Sequence, residues 1–349
     1  MHLKSILQTL FLTLAFIGAL CGGCGISAAA DSGRPPAQSF GSETESGYYY
    51  TVQKGDTLWD LSRRFSGTPW VWPELWEENN AAIANPHLIY PGQRIRLMRL
   101  MGGRPAGAPA SSSEQPVAGI HFYYSLSDQY GFIRKIPVTP EGIIFKSQDS
   151  NKNMLSEGDI VYVRPKGDAA LIKGQLLTVY RTFNPLIDPK TKELIGTQHL
   201  LCGVLEIVQR EPQYAIARVV ESYRPIEVGD KLMPYERRSP RIAIQDSQPG
   251  IDGRLIMAEE HLSMFAEFNV AFINQGNFHG IRPGQIYSIY QSDEHNFGSV
   301  TSPQIITIPV DYGELLVLHV ENETSTVLIT GSKKEFPEGT RVRTPLAMR

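Results

Sequence analysis

All four tryptophans of the chain, Trp59, Trp70, Trp72 and Trp76, fall between positions 59 and 76. Indole rings carry a large apolar area and a flat π face, so such a cluster either packs a small core or stacks on a flat apolar surface such as a sugar ring. Trp72 and Trp76 stand at i and i+4, on one face of a helix, which favours core packing. Trp70 falls between two helical patterns and is the tryptophan expected in solvent. A second group of residues could support thiol chemistry: Thr197-Gln198-His199-Leu200-Leu201-Cys202-Gly203 places a histidine close to a cysteine. It lacks the Ser-His-Gly-Cys order of transpeptidases, and 110 residues further on the matched position is Tyr312, so Cys202 reads as a small buried residue. His-Glu-x-x-His and His-x-His do not occur, which removes the familiar zinc-hydrolase patterns. Acidic pairs such as Glu259-Glu260 belong on solvated faces. No catalytic residue, no metal site and no cofactor is expected.

The tryptophans are positioned by a short run of elements. Tyr48-Tyr49-Tyr50-Thr51-Val52 is a strand by its aromatic and β-branched content. Gly55-Asp56-Thr57 turns it into a helix that Asp56 or Thr57 caps, with Asp60 three residues beyond Thr57 as in a capping box. Leu58, Leu61 and Phe65 form one apolar stripe of that helix. Gly67 and Pro69 end it. Pro73 opens a second helix through Leu75 and Trp76 to Asn79-Asn80. Asn85-Pro86 and Pro91-Gly92 are turns, and Arg94-Ile95-Arg96-Leu97 alternates as a closing strand. The order is strand, helix, helix, strand.

That order, carried by YTVQKGDTLWDLSRRF…NPHLIYPGQRIRL, resembles the LysM domain. The resemblance implies a βααβ fold and a shallow groove that holds N-acetylglucosamine units of polymers such as peptidoglycan. Carried over to this chain, one side of the groove is Gly55, Asp56, Thr57 and Leu58; the other runs from Asn85 to Tyr90, with Asn85, Leu88, Ile89 and Tyr90 as contacts. Peptide groups at the turns would bond the acetamido group, and Leu58, Leu88, Ile89 or Tyr90 would face the apolar side of the sugar. Each residue also has a structural use: Gly55 in the turn, Asp56 or Thr57 as cap, Leu58 in the core. The segment WVWPELWEEN departs from the commonest form of the family, whose inter-helix segment is shorter and lacks these aromatics.

The 349 residues allow two or three domains, and the formal charge of −3 leaves no concentrated basic face of the kind a nucleic-acid binder needs. Residues 1–30 read as a signal peptide: Lys4, an apolar run from Ile6 to Leu20, then Ala28-Ala29-Ala30. Acylation at Cys24 is the competing route, and only then would the protein meet a membrane. Cleavage after Ala30 leaves Cys202 as the single cysteine, with no internal disulfide to form. The expected address is the periplasm or cell envelope. Residues 31–48 read as a disordered tether, 49–98 as the LysM domain, and 99–118 as a Gly/Ala/Pro/Ser linker that lets the domain move independently.

From 119 onward, short β-type runs separated by turns predict small all-β barrels or sandwiches. AEEHLSMFAEF (258–268) is the one segment with helical character. This half repeats at an offset of 110 residues: Gly174, Gln175 and Tyr180 match Gly284, Gln285 and Tyr290, and Gly203, Leu205, Glu211 and Gly229 match Gly313, Leu315, Glu321 and Gly339. The reading is two tandem copies of one β module, 119–236 and 237–349. VYRTFNPLIDPKTKELIG in the first copy resembles a stretch of small SH3-like barrels in periplasmic envelope and flagellar-assembly lipoproteins.

The overall expectation is an α+β LysM domain joined to two all-β modules, in a secreted, non-enzymatic protein that binds peptidoglycan and presents its β modules to an envelope protein. A LysM-targeted cell-wall hydrolase and a structural part of an envelope or flagellar assembly are the alternatives.

Overall fold

The computed structural model describes residues 45–98 and 119–346, apart from 150, 153, 168, 293, 296–304 and 307–308. The expected signal peptide, most of the tether and the linker at 99–118 lie outside the described residues.

The first unit runs β1 (Gly47–Thr51), α1 (Leu58–Ser66), α2 (Trp72–Glu77) and β2 (Arg94–Leu97), with β1 and β2 antiparallel so that Tyr48 faces Leu97. Thr57 caps α1: its Oγ1 accepts the Asp60 N–H at 3.1 Å and donates to the Asp60 carboxylate at 2.8 Å. Leu58, Leu61 and Phe65 turn inward with Leu75, Ile83 and Ile95. Trp72 and Trp76 pack half-buried against this core, while Trp70 is 75% exposed.

Among the described residues, the regular structure of the remainder is strand apart from one 3-10 turn at Asn277–His279. Its first half holds β3 (Ile120–Tyr123), β4 (Phe132–Arg134), β5 (Gly142–Ser147), β6 (Ile160–Pro165), β7 (Leu176–Thr182), β8 (Leu186–Ile187), β9 (Leu194–Arg210), β10 (Ala215–Ser222) and β11 (Lys231–Pro234). Six of these pair in a ring, β5-β6-β10-β9-β7-β11, closed by β11 on β5, and this is barrel one. The second half holds β12 (Arg241–Ala243), β13 (Asp252–Ala258), β14 (Met264–Phe265), β15 (Val270–Ile273), β16 (Ile286–Gln291), β17 (Glu294–His295), β18 (Ile305–Ile306), β19 (Val310–Val320), β20 (Ser325–Ser332), β21 (Phe336–Pro337) and β22 (Arg341–Arg343). Barrel two is the closed ring β13-β15-β20-β19-β16-β22.

Strands 110 or 111 residues apart hold the same places in the two rings. Leu176 faces Glu206 and Arg218 faces Glu206 in barrel one; Ile286 faces Leu316 and Leu328 faces Leu316 in barrel two. The shared residues have shared tasks. The side-chain oxygen of Gln175 accepts the Ile172 N–H at 3.0 Å, and that of Gln285 accepts the Arg282 N–H at 2.8 Å, each closing the turn into its strand. A Cβ on Gly203 would stand 2.2 Å from the Glu221 carbonyl oxygen, and one on Gly313 would stand 2.7 Å from that of Gly331. The β9–β10 and β19–β20 ladders both shift register beside these glycines, and the close approach of the paired strands demands the missing side chain. Inside, Leu177, Val179, Leu205 and Ile207 fill barrel one where Tyr287, Ile289, Leu315 and Val317 fill barrel two. Each such side chain stabilises its barrel by about 2 kcal/mol.

Three expectations need correction. Of the acidic pair expected on a solvated face, only Glu260 is exposed; Glu259 is 3% exposed and meets Arg224 at 3.2 Å. Segment 258–268 is not helical. Its backbone takes φ of +56° at His261 and +67° at Phe268, which an α-helix does not admit, and Phe265 is a buried plug held by the pairing of β14 with β21. The LysM unit also does not stand apart from the β-rich remainder. Its sheet continues through β3 to β12, in the order β12-β3-β1-β2, with Tyr48 facing Phe122 and Phe122 facing Ile242. Its core is continuous with Ile286, Leu316, Leu318 and Leu328 on the outside of barrel two. On barrel one the matching positions are Leu176, Glu206, Val208 and Arg218, where the Arg218 guanidinium meets the Glu206 carboxylate at 2.7 Å. A buried apolar seat exists on one barrel and a solvated ion pair on the other, so one LysM unit suffices for two barrels.

The barrels also bind each other. β4 pairs with β9, Phe132 facing His199, and lies on barrel two. There Thr326 Oγ1 donates to the Gly131 carbonyl at 2.8 Å and Thr324 Oγ1 to that of Ile133 at 2.6 Å. Arg134 makes a two-point contact with Glu321 at 2.9 and 2.8 Å. In the β8–β9 hairpin, Asp188 accepts the N–H groups of Lys190 and Thr191 at 2.8 and 3.1 Å and reaches Arg254 of barrel two.

Candidate functional site

A groove of about 310 Å³ opens at the start of α1. One wall is Asp56, Thr57, Leu58 and Trp59; the other is Pro86, His87 and Ile89, with Trp72 between them. The first wall is fixed by local chemistry. The Asp56 carboxylate accepts the Gln53 N–H at 2.7 Å and the Tyr50 hydroxyl at 2.8 Å, which locks the turn that Gly55 makes at φ +96°. Burial, reinforced by that hydrogen bond to Asp56, pushes the Tyr50 phenol up to about 12, so it stays a donor. The second wall is an Asx turn: Asn85 Oδ1 accepts the His87 N–H at 3.0 Å, and the Leu88 N–H reaches the Asn85 carbonyl at 3.0 Å.

The eight residues expected at the ligand divide into two sets. Asp56, Thr57, Leu58 and Ile89 line the groove. Leu58 is only 3% exposed and is chiefly a core residue, offering the groove little surface. Gly55 and Asn85 shape the two turns from behind. Leu88 and Tyr90 are half-exposed, at 52% and 40%, outside the lining, and the Tyr90 N–H is bonded to the Gln93 side chain at 3.1 Å. Sequence reasoning placed Pro86 and His87 within the second side of the groove without naming them as contacts, and it missed Trp59 and Trp72. The one signal for Trp59 was position, since it directly follows the first turn. Trp59 meets Trp70 edge-on with centroids 5.0 Å apart, and Trp72 lies 6.4 Å from the His87 ring. Flat aromatic surface, a threonine edge and turn peptides suit a neutral, flat, hydroxyl-rich ligand.

The thiol motif at 197–203 has the opposite character. Cys202 is fully buried; burial pushes its thiol up to about 12, and its Sγ lies 3.6 Å from the Leu200 carbonyl. His199 is buried too, and burial lowers it to about 4. Its Nε2 accepts the Val138 N–H at 3.0 Å while Nδ1 faces the Thr197 carbonyl at 3.0 Å, an arrangement for a neutral ring. Among the described residues, no group of three or more His, Cys, Asp or Glu is placed to hold a metal, and no helix is long and apolar enough to cross a membrane.

This βααβ unit with its two-loop groove is a LysM domain: residues 50–97 match the family model of that name. LysM is a binding domain, and domains of this type bind peptidoglycan and related N-acetylglucosamine polymers. Two curated relatives share the stretch. An uncharacterized protein of Bacillus subtilis, YqbP, is 42% identical over 57 residues, which is 14% of this chain and 26% of that protein. The potassium binding protein Kbp of Escherichia coli is 37% identical over 49 residues, 14% of this chain and 33% of that protein. The match thus spans between a quarter and a third of the length of these relatives.

Proposed function

We propose that this protein is a secreted, non-enzymatic peptidoglycan-binding protein of the periplasm or cell envelope, and that the groove between Asp56–Trp59 and Pro86–Ile89 takes N-acetylglucosamine units. The observation that carries the reading is that groove, set in a LysM domain and walled by Trp59, Trp72, His87 and the Thr57 hydroxyl. Binding of one or two sugar units in an open polar groove is weak, because little area is buried. Non-enzymatic status is supported by the burial of Cys202 and His199, which withholds the thiol and its nearest imidazole from any substrate. The two barrels are copies of one module, and they serve to present protein surface to an envelope partner while the LysM domain holds the chain on the wall.

The test is a titration of the purified protein with N-acetylglucosamine oligomers, followed by amide NMR shifts. The expected result is saturable shifts confined to residues 55–59, Trp72 and residues 87–90, with no lysis band in a zymogram against cell-wall substrate. Shifts absent at high sugar concentration would overturn the ligand, and a lysis band would overturn the non-enzymatic reading.

A further inference from the structure

Three of the four tryptophans have a task. Trp72 and Trp76 pack on the core of the LysM unit, the Trp76 indole N–H also donating to the Ile83 carbonyl at 2.8 Å, and Trp59 stands in the groove wall. Trp70 has none of these. It is 75% exposed, more than any other aromatic side chain among the described residues, and its indole N–H has no hydrogen-bond partner there.

The backbone that carries Trp70 is nevertheless held on both sides. Gly67 ends α1 at φ +74°, and Thr68 opens a single 3-10 turn, Pro69–Val71, with its Oγ1 accepting the Trp70 N–H at 3.4 Å. The buried Ser62 hydroxyl donates to the Thr68 carbonyl at 3.1 Å, and the Trp72 N–H donates to that of Pro69. A tied turn thus keeps a large apolar ring in water, where burial is the favourable use of such a ring.

Its position beside the groove gives the ring a use. Trp70 lies edge-on to Trp59, with centroids 5.0 Å apart and ring planes at 79°, so the two indoles form a corner at the groove wall. In such a corner one indole can lie along the apolar face of a pyranose while the other meets its edge. The Trp70 indole N–H adds a donor for a sugar hydroxyl. Rigid rings supply this contact area at small entropic cost.

We propose that the sugar site continues past Trp59 onto Trp70, and that Trp70 selects N-acetylglucosamine oligomers longer than the groove alone holds. The proposal rests on the groove being a sugar site. The groove takes the first one or two units, and the tryptophan corner takes the next.

Isothermal titration calorimetry of the full chain with N-acetylglucosamine oligomers of two and of five units tests this, for the parent and for Trp70→Ala. The parent should bind the longer oligomer about tenfold more tightly, the effect of one well-packed aromatic contact. Trp70→Ala should lose most of that gain, bind the two-unit oligomer as the parent does, and keep its melting temperature. Trp70→Phe should recover part of the gain. In NMR spectra the Trp70 indole N–H signal should move with the five-unit oligomer only. A parent that binds two units but gains nothing with length overturns this proposal alone. So does a Trp70→Ala variant that keeps the parent's preference, or one that loses two-unit binding. A parent that binds neither oligomer overturns the groove reading, and this proposal falls with it.

Discussion

Asn79 is 6% exposed, and both ends of its amide hold backbone: Nδ2 donates to the carbonyls of Leu75 and Arg96 at 2.7 and 2.8 Å, and Oδ1 accepts the Arg96 N–H at 2.7 Å. One side chain thus ties the end of α2 to β2. Asn79→Ala leaves the Arg96 peptide groups unpaired, and we expect a loss of about 3 kcal/mol, read from the urea midpoint. A loss below about 1 kcal/mol would contradict that role. Glu259 and His199 give a pH signature of opposite signs. Burial raises Glu259 to about 7 in spite of Arg224 and the Gly131 N–H, so between its ordinary value and pH 7 the folded state binds the extra proton and stability falls as pH rises. Burial lowers His199 to about 4, so between pH 4 and its ordinary value the unfolded state binds the extra proton and stability rises with pH. The two slopes oppose each other in the parent. Glu259→Gln should unmask a rise of about 3 kcal/mol between pH 4 and 6.5, measured by urea unfolding at several pH values. A variant whose stability rises no more steeply than the parent's over that range would contradict it. Cys202, by peptide mapping after alkylation at pH 8, should stay unmodified in the native protein and react once it is denatured.

At the scale of elements, the LysM unit was legible because its signals are local. Thr57 with Asp60, Gly67 with Pro69, and Pro73 each act within one turn of chain, and the cap, stop and start stand where those residues put them. The strands and the spacing of the glycines in the barrels were legible for the same reason. Closure of each ring was not, since it depends on pairings between distant strands that no short window encodes. The misreading of 258–268 has a plain cause: Leu262, Met264 and Phe265 give an apolar run of helical appearance, while the backbone at His261 and Phe268 takes a conformation that ordinary side chains do not announce. Of the groove, the two loops could be read, but not Trp59 and Trp72 as its walls, because which side of α1 and α2 meets the second loop is set by packing. The seat of the LysM unit on barrel two is an element-scale claim with its own test. Leu328 is fully buried there, and Leu328→Arg places in that seat the residue barrel one carries at the matching position. The variant should melt in two calorimetric transitions, with the LysM sheet released first. A single transition near the parental temperature would contradict the shared core.

Over the whole molecule, the LysM unit is built into the body: a four-stranded sheet drawn from the LysM domain and from the leading strand of each β half joins them. A wall-bound groove would therefore fix the orientation of both barrels relative to the polymer, which a free tether would not do. The sequence pointed to a domain that moves alone because residues 99–118 have a linker's composition, and composition says nothing of the strands that pair on either side. Co-sedimentation of the full chain with purified peptidoglycan, with and without soluble N-acetylglucosamine oligomers as competitor, tests the central claim most directly. The account predicts that the protein pellets with the polymer, that the oligomers release it, and that a Trp59→Ala, His87→Ala double variant of unchanged fold stays in the supernatant. A parent chain that remains soluble, or a double variant that pellets as the parent does, would contradict it.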